Sequence, residues 1–133
     1  MIKTEQFAQL AKKLHIQFTD LHLLARAFTH RSFLNEHRNS GLEHNERLEF
    51  LGDAVLELVV TDFLYKNYPK KPEGEMTALR SALVNAQTLS EVALHLGLNE
   101  YLLLSKGEAK DTGRARQYIL ANTTEALIGA IYL

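Results

Sequence analysis

Apolar residues recur at helical spacing along most of the chain. Ile2, Phe7, Leu10, Ala11 and Leu14 line one face of a first amphipathic helix. Asp20 is placed to cap a second, which carries Leu23, Leu24 and Ala27. A short third segment is predicted around Ser32 to Asn35, and the polar stretch EHRNSGLEHN then reads as a loop. Asn45 would cap the longest helix, from Glu46 to Tyr65, and Pro69 and Pro72 end it. Glu75 to Asn85 and Thr88 to Leu96 are two further helices, with Gly97 as a C-cap. SKGEAKDTGRAR is a charged loop, and Gln117 to Leu133 is the last helix. The predicted fold class is all-α, a helical bundle without repeats.

The segment Glu46 to Glu57, ERLEFLGDAVLE, carries the strongest chemical signal. At about 100° per residue from Glu46, Glu49 falls near 300° and Asp53 near 340°, so three acids share one face. Leu48, Leu51, Val55, Leu58 and Val59 span about 120° to 220°, which predicts a core face separate from the acids. Acids stacked at this spacing repel each other, and an acidic stripe by itself is usually a solvated face. Two details argue against that reading. Gly52 in mid-helix forfeits about 1 kcal/mol against alanine, which points to close approach by another backbone. Phe50 lies on the acidic side, where no local core would claim it; it is either a satellite core contact or a plug for a partner subunit.

The last helix holds a counterpart in ILANTTEALIGAIYL, where Asn122 and Glu125 stand three residues apart with small Ala126 and Gly129 beside them. If this face meets the Glu46 stripe, five oxygen-bearing side chains converge. Buried carboxylates need a counter-charge, and donors of oxygen alone favour Mg²⁺ or Mn²⁺ over Zn²⁺.

Composition narrows the alternatives. The 133 residues suit one domain and are 46% hydrophobic and 23% charged, as in a globular chain. With no cysteine, disulfides, thiolate zinc sites and thiol nucleophiles are excluded. The N-terminus is too polar for a signal peptide and no apolar run matches a membrane span, so a cytoplasmic protein with no membrane partner is expected. A net charge of −1 argues mildly against an autonomous nucleic-acid binder. It is compatible with an enzyme that meets phosphates through metal ions.

HNERLEFLGDAVL, with THRS at Thr29 to Ser32, PEGEM, and ILANTTEALIGAIYL, resembles the catalytic domain of bacterial ribonuclease III across essentially the whole chain. The resemblance implies an all-α endonuclease domain, residues 1–133, that acts as a homodimer on double-stranded RNA in the processing of rRNA and mRNA precursors. It implies Glu49 and Glu125 as direct metal ligands and Asp53 as a ligand directly or through water, with Asp53 and Glu125 the catalytic pair. Asn122 stands where the family most often has Asp, which predicts weaker metal affinity with activity retained. Glu46 and Glu73 would complete the acidic site, and Phe50 would plug a socket on the other subunit. Thr112 to Gln117, with Arg114, Arg116 and Gln117, lies where the family contacts RNA. The implied chemistry is Mg²⁺-assisted phosphodiester hydrolysis leaving 5′-phosphate and 3′-hydroxyl ends. A basic double-stranded RNA-binding domain, which bacterial members commonly append, is expected to be absent or truncated here. The chain stops inside the apolar pattern of its last helix, which predicts truncation over a naturally short member.

Other chemistries find little support. There is no HExxH, no Glu-x-x-His pair, no phosphate-cradling glycine motif, and no His–Asp partner for Ser32 or Ser81. His30 is expected to be a structural hydrogen-bonding residue, and His37 and His44 to be solvated. The alternative function is a non-catalytic module of the same fold that binds double-stranded RNA or dimerises. The presence of Glu46, Glu49, Asp53, Glu73 and Glu125 favours the enzyme. A helical dimerisation domain with an incidental acidic face would not explain acids recurring on two separate helices.

Overall fold

A computed structural model describes residues 4–133. Ile2, assigned above to the first helix, lies outside the described residues. The elements follow the chain as α1 (Glu5–Lys13), α2 (Leu21–Ala27), α3 (Arg31–Glu36), α4 (Glu46–Asn67), α5 (Glu73–Leu83) and α6 (Ala86–His95). A 3-10 turn (Leu98–Tyr101), α7 (Lys106–Lys110) and α8 (Arg114–Tyr132) complete the fold. No strand occurs among the described residues, only a parallel bridge between Thr29 and Leu103.

Local chemistry sets most boundaries. The Asp20 carboxylate accepts from the His22 amide at 2.9 Å and starts α2. Gly97 adopts φ +73°, a left-handed conformation that costs glycine little, just beyond α6. Three expectations are corrected. Pro72 immediately precedes α5, so that helix begins at Glu73 instead of Glu75. Asn85 caps α6 by accepting from the Thr88 amide at 2.9 Å, so the helix starts at Ala86. The predicted loop from Ser105 to Arg116 contains α7, capped by Ser105, and the first turn of α8.

Asn45 precedes α4 but its side chain does not cap the helix. Its amide donates instead to the Ala27 carbonyl at 2.9 Å, while its backbone N–H donates to Thr29 at 3.0 Å. Asn45 thus fixes the start of α4 to the end of α2. The core gathers Phe7, Leu10, Leu24, Phe28, Leu98 and Leu127, with the Phe7 and Phe28 rings 5.6 Å apart. The central helix α8 packs on α4, α6 and α2.

The expected core face of α4 is only partly realised. Leu48 is buried, whereas Leu58 and Val59 are 69% and 58% exposed. The buried edge runs through Asn45, Leu48 and Gly52, centred near 240° on the wheel used above and not near 170°. Beyond Gly52 the helix has one further buried residue, Leu64, which borders a hollow shared with Met76 and Thr77 of α5. A face read from one helix assumes a core beneath its whole length, and α4 outruns its core.

Candidate active site

Two glycines bring the acids together. A β-carbon added at Gly52 would run into the Glu125 carbonyl, and one added at Gly129 would run into that of Leu48. Helices α4 and α8 therefore cross backbone to backbone, as the mid-helix glycine predicted. Glu49 and Asp53 lie on α4 either side of this crossing, and Glu125 and Asn122 lie one and two turns before Gly129 on α8.

The crossing confines charge. Burial, a hydrogen bond shared with Asp53, and the negative charges of Asp53 and Glu49 push the Glu125 carboxyl up to about 8. Burial likewise raises Glu49, with Glu46 and Asp53 adding to the effect. Protonation is one remedy for such crowding, and a hard divalent cation is the other. The donors fit such a cation in type and charge. Among the described residues, however, no three His, Asp or Glu side chains close around one point as a ligand shell would. The metal-ligand set of the sequence reading is thus neighbouring but not drawn into a closed shell.

A cleft of about 280 Å³ opens beside these acids, lined by Glu46, Glu49, Asn122, Asn45, His30 and Ser32, among others. His30 serves the cleft wall. Its Nδ1 accepts from the Ser32 amide at 3.1 Å and lies 2.7 Å from the Ser32 hydroxyl, which in turn accepts from the Ser105 amide at 3.0 Å. Burial lowers the His30 pKa and favours the neutral ring, in keeping with the structural role expected of it.

Residues 20–133 match the family model described as Ribonuclease-III-like. Ribonuclease 3 of Bacillus licheniformis is 50% identical over 131 residues, covering 98% of this chain and 53% of that protein. Ribonuclease 3 of Carboxydothermus hydrogenoformans is 49% identical, covering 96% of this chain and 54% of its own length. The crystal structure of the nuclease domain of ribonuclease III from Campylobacter jejuni superposes with a TM-score of 0.83 at 40% identity, covering 96% of this chain and 83% of that one. The chain belongs to the ribonuclease III family. It spans about half the length of the curated ribonuclease 3 relatives it matches.

The positions that family resemblance singled out fall into three groups in this ribonuclease III chain. Glu49, Asp53, Asn122 and Glu125 lie together at the α4–α8 crossing or in the adjoining cleft. Glu46 reaches the same cleft, but its carboxylate accepts from the Arg31 guanidinium at 2.7 Å and lies 3.4 Å from His44. Glu73 does not join them within one protomer. It borders a groove with Thr61, Leu64 and Tyr65, about 12 Å further along α4 than Asp53.

The basic segment before α8 also divides. Arg114 is exposed, its guanidinium 5.9 Å from the centre of the Tyr118 ring, and Gln117 is half-buried. Arg116 is only 9% exposed and donates to Asn99 Oδ1 at 2.8 Å and to the carbonyls of Glu108 and Ala109. The expectation that Arg116 meets RNA is corrected: its donors tie α7 and the 3-10 turn to α8. Phe50 is 84% exposed, in a hollow where Leu48, Leu51 and Leu133 meet the polar side chains of Arg26, His44, Glu46 and Arg47. Sequence reasoning passed over Arg31 and Asn35, which also line the cleft; THRS signalled the segment but not its orientation.

Proposed function

We propose that this ribonuclease III family chain is the nuclease domain of a divalent-cation-dependent endoribonuclease. It would cut double-stranded RNA, including rRNA and mRNA precursors, to leave 5′-phosphate and 3′-hydroxyl ends. The observation that carries the reading is that the glycine crossing of α4 and α8 gathers Glu49, Asp53 and Glu125, none of which has a salt-bridge partner among the described residues. Sites that stabilise folds rarely keep such crowding, and functional sites often require it.

Glu49, Asp53 and Glu125 would hold Mg²⁺ or Mn²⁺, with the Asn122 amide oxygen as a neutral donor. When bound, the metal supplies an acidified water and charge stabilisation for the departing 3′-oxygen. The chain's own part is positional. Glu125 must release its proton to act as a ligand, and the neighbouring Asp53 and Glu49 hold that proton on until a cation compensates their charge. Neutral His30 and Ser32 keep the cleft wall in register. Arg114 and Gln117, at the start of the helix that carries Glu125, would meet the backbone of the duplex.

The working unit we propose is a homodimer. Phe50, Leu58, Val59 and Phe63 are large apolar side chains left exposed at several points around α4, more than isolated surface positions would supply. A second structure of the Campylobacter jejuni nuclease domain, 41% identical, is described by structural flexibility in a region involved in dimer formation. Glu73, remote from the acids of its own protomer, would act only across such a pair.

A second reading is a module of the same fold that binds RNA or dimerises without cutting. Incubation with a long RNA duplex, with and without Mg²⁺, separates the two. Metal-dependent products with 5′-phosphate ends, lost in Glu125→Gln, are expected. Cleavage of single strands instead, or intact duplex at high protein concentration, would overturn the nuclease reading.

A further inference from the structure

The polar groups of the cleft divide into those committed to the fold and those left over. His30, Ser32 and the Asn45 amide are engaged in hydrogen bonds to neighbouring backbone or to each other. Arg31 and Asn35 are both exposed. Arg31 donates through one terminal nitrogen to Glu46 at 2.7 Å, and the Asn35 amide makes no hydrogen bond among the described residues. A guanidinium carries five N–H donors in a flat fork, so the Glu46 contact leaves most of them available.

Charge makes that surplus significant. A phosphodiester entering the cleft meets the carboxylates of Glu46 and Glu49 on its α4 side. Burial favours the neutral form of His30, so among the described residues that line the cleft Arg31 is the permanent cation. At about 280 Å³ the cleft is slightly smaller than the roughly 300 Å³ at which pockets for drug-sized molecules begin. That is room for one nucleotide's backbone, not for a duplex. Arginine forks suit phosphate oxygens in pairs, and a side-chain amide can both donate to and accept from a ribose hydroxyl.

We propose that Arg31 and Asn35 seat one ribose-phosphate unit of the substrate backbone in this cleft, next to the carboxylates of α4 and α8. The inference rests on the nuclease reading above. Arg31 is a positioning residue in this scheme: it holds the strand in register with the acids and takes no part in bond breaking. The competing role is that of a mere counter-ion that pins Glu46 and α3 to α4.

Duplex binding in the Glu125→Gln background with Mg²⁺ present tests this without turnover, with urea unfolding as the check on the fold. Arg31→Gln is expected to weaken binding about 5- to 10-fold and to lower the salt slope of log affinity by about one. Arg31→Lys should keep the slope and recover part of the affinity, and Asn35→Ala should weaken binding without changing the slope. The decisive comparison is Arg31→Gln in a Glu46→Gln chain. A counter-ion has nothing left to neutralise there, so an unchanged affinity and slope would overturn the proposal, whereas a persisting loss supports it. If the otherwise unaltered protein cleaves duplex but Arg31→Gln binds it as well as its parent, only this inference falls. If the unaltered chain neither binds nor cuts duplex, the nuclease reading falls and takes the inference with it.

Discussion

Replacing Gly52 by alanine tests the crossing on which the active site depends. In the middle of an exposed helix that change would stabilise by about 1 kcal/mol. Here the new methyl group meets the backbone carbonyl of Glu125, and no rotamer change can move a backbone atom aside. The two helices must separate, which loosens Leu48 against the small residues of α8. Overpacking of this kind costs about 1–3 kcal/mol, and a backbone obstacle places it at the upper end. After the propensity gain the net loss should be about 2 kcal/mol, read as a lower midpoint in urea with an unchanged slope. Gly74→Ala is the control. It also lies in a helix but has open space around it, so it should be neutral or stabilise by up to about 1 kcal/mol. The same separation should draw Glu125 away from Asp53 and depress metal-dependent cleavage even in the fraction that stays folded. Should Gly52→Ala prove as stable as Gly74→Ala, α4 and α8 do not touch through their backbones and the site geometry is wrong.

Four further outcomes are expected. Without metal, stability should fall as pH rises from about 4.5 to about 8, because folded Glu125 keeps a proton that the unfolded chain releases. The effect is fully absent below that window, and with a half-exposed side chain it should amount to about 1–2 kcal/mol. Urea midpoints in EDTA measure it, and Glu125→Gln, which cannot titrate, should lose that part of the slope while His30 keeps its opposite one. Asn122→Asp should lower the Mg²⁺ concentration for half-maximal cleavage several-fold, since a carboxylate adds the charge that the amide lacks; an unchanged value removes Asn122 from the ligand set. Arg116→Ala should cost about 2–4 kcal/mol by stranding Asn99 and two carbonyls, whereas Arg114→Ala should leave the urea midpoint within about 0.5 kcal/mol and weaken duplex binding. Phe50→Ser should shift the sedimentation coefficient toward that of a monomer, and a dimer as tight as before would exclude Phe50 from the interface.

Much of the fold was legible because its determinants are local. Asp20, Gly97 and the two prolines act on their own neighbours, so their effects can be read without knowing the rest of the chain. Gly52 was the exception: a residue poorly suited to a helix implied something distant pressing on it, and that something is Glu125. The failures share the opposite character. Leu58 and Val59 have the periodicity of a core face, but periodicity cannot say how far a supporting surface extends. Asn45 has the composition of a cap, yet a carbonyl of α2 competes for its amide.

The site divides along the same line. Residues that share a helix, Glu46 with Glu49 and Asp53 or Asn122 with Glu125, could be grouped from spacing alone. Their junction needed the two glycines that let the helices meet. Glu73 and Arg116 lie away from the crossing; charge in a sequence says nothing of what lies within reach. Arg116 lies in the first turn of a helix, where an arginine is ordinarily solvated, but oxygens of Asn99 in the 3-10 turn and of Glu108 and Ala109 in α7 accept from it. Arg31, by contrast, sits among residues that look merely structural and keeps most of its donors open to the cleft. For these two arginines, the supply of nearby acceptors decides the role. A buried guanidinium whose two terminal nitrogens both reach protein oxygens holds the fold, and an exposed one with donors to spare at the lip of an acidic cleft is free to hold a phosphate.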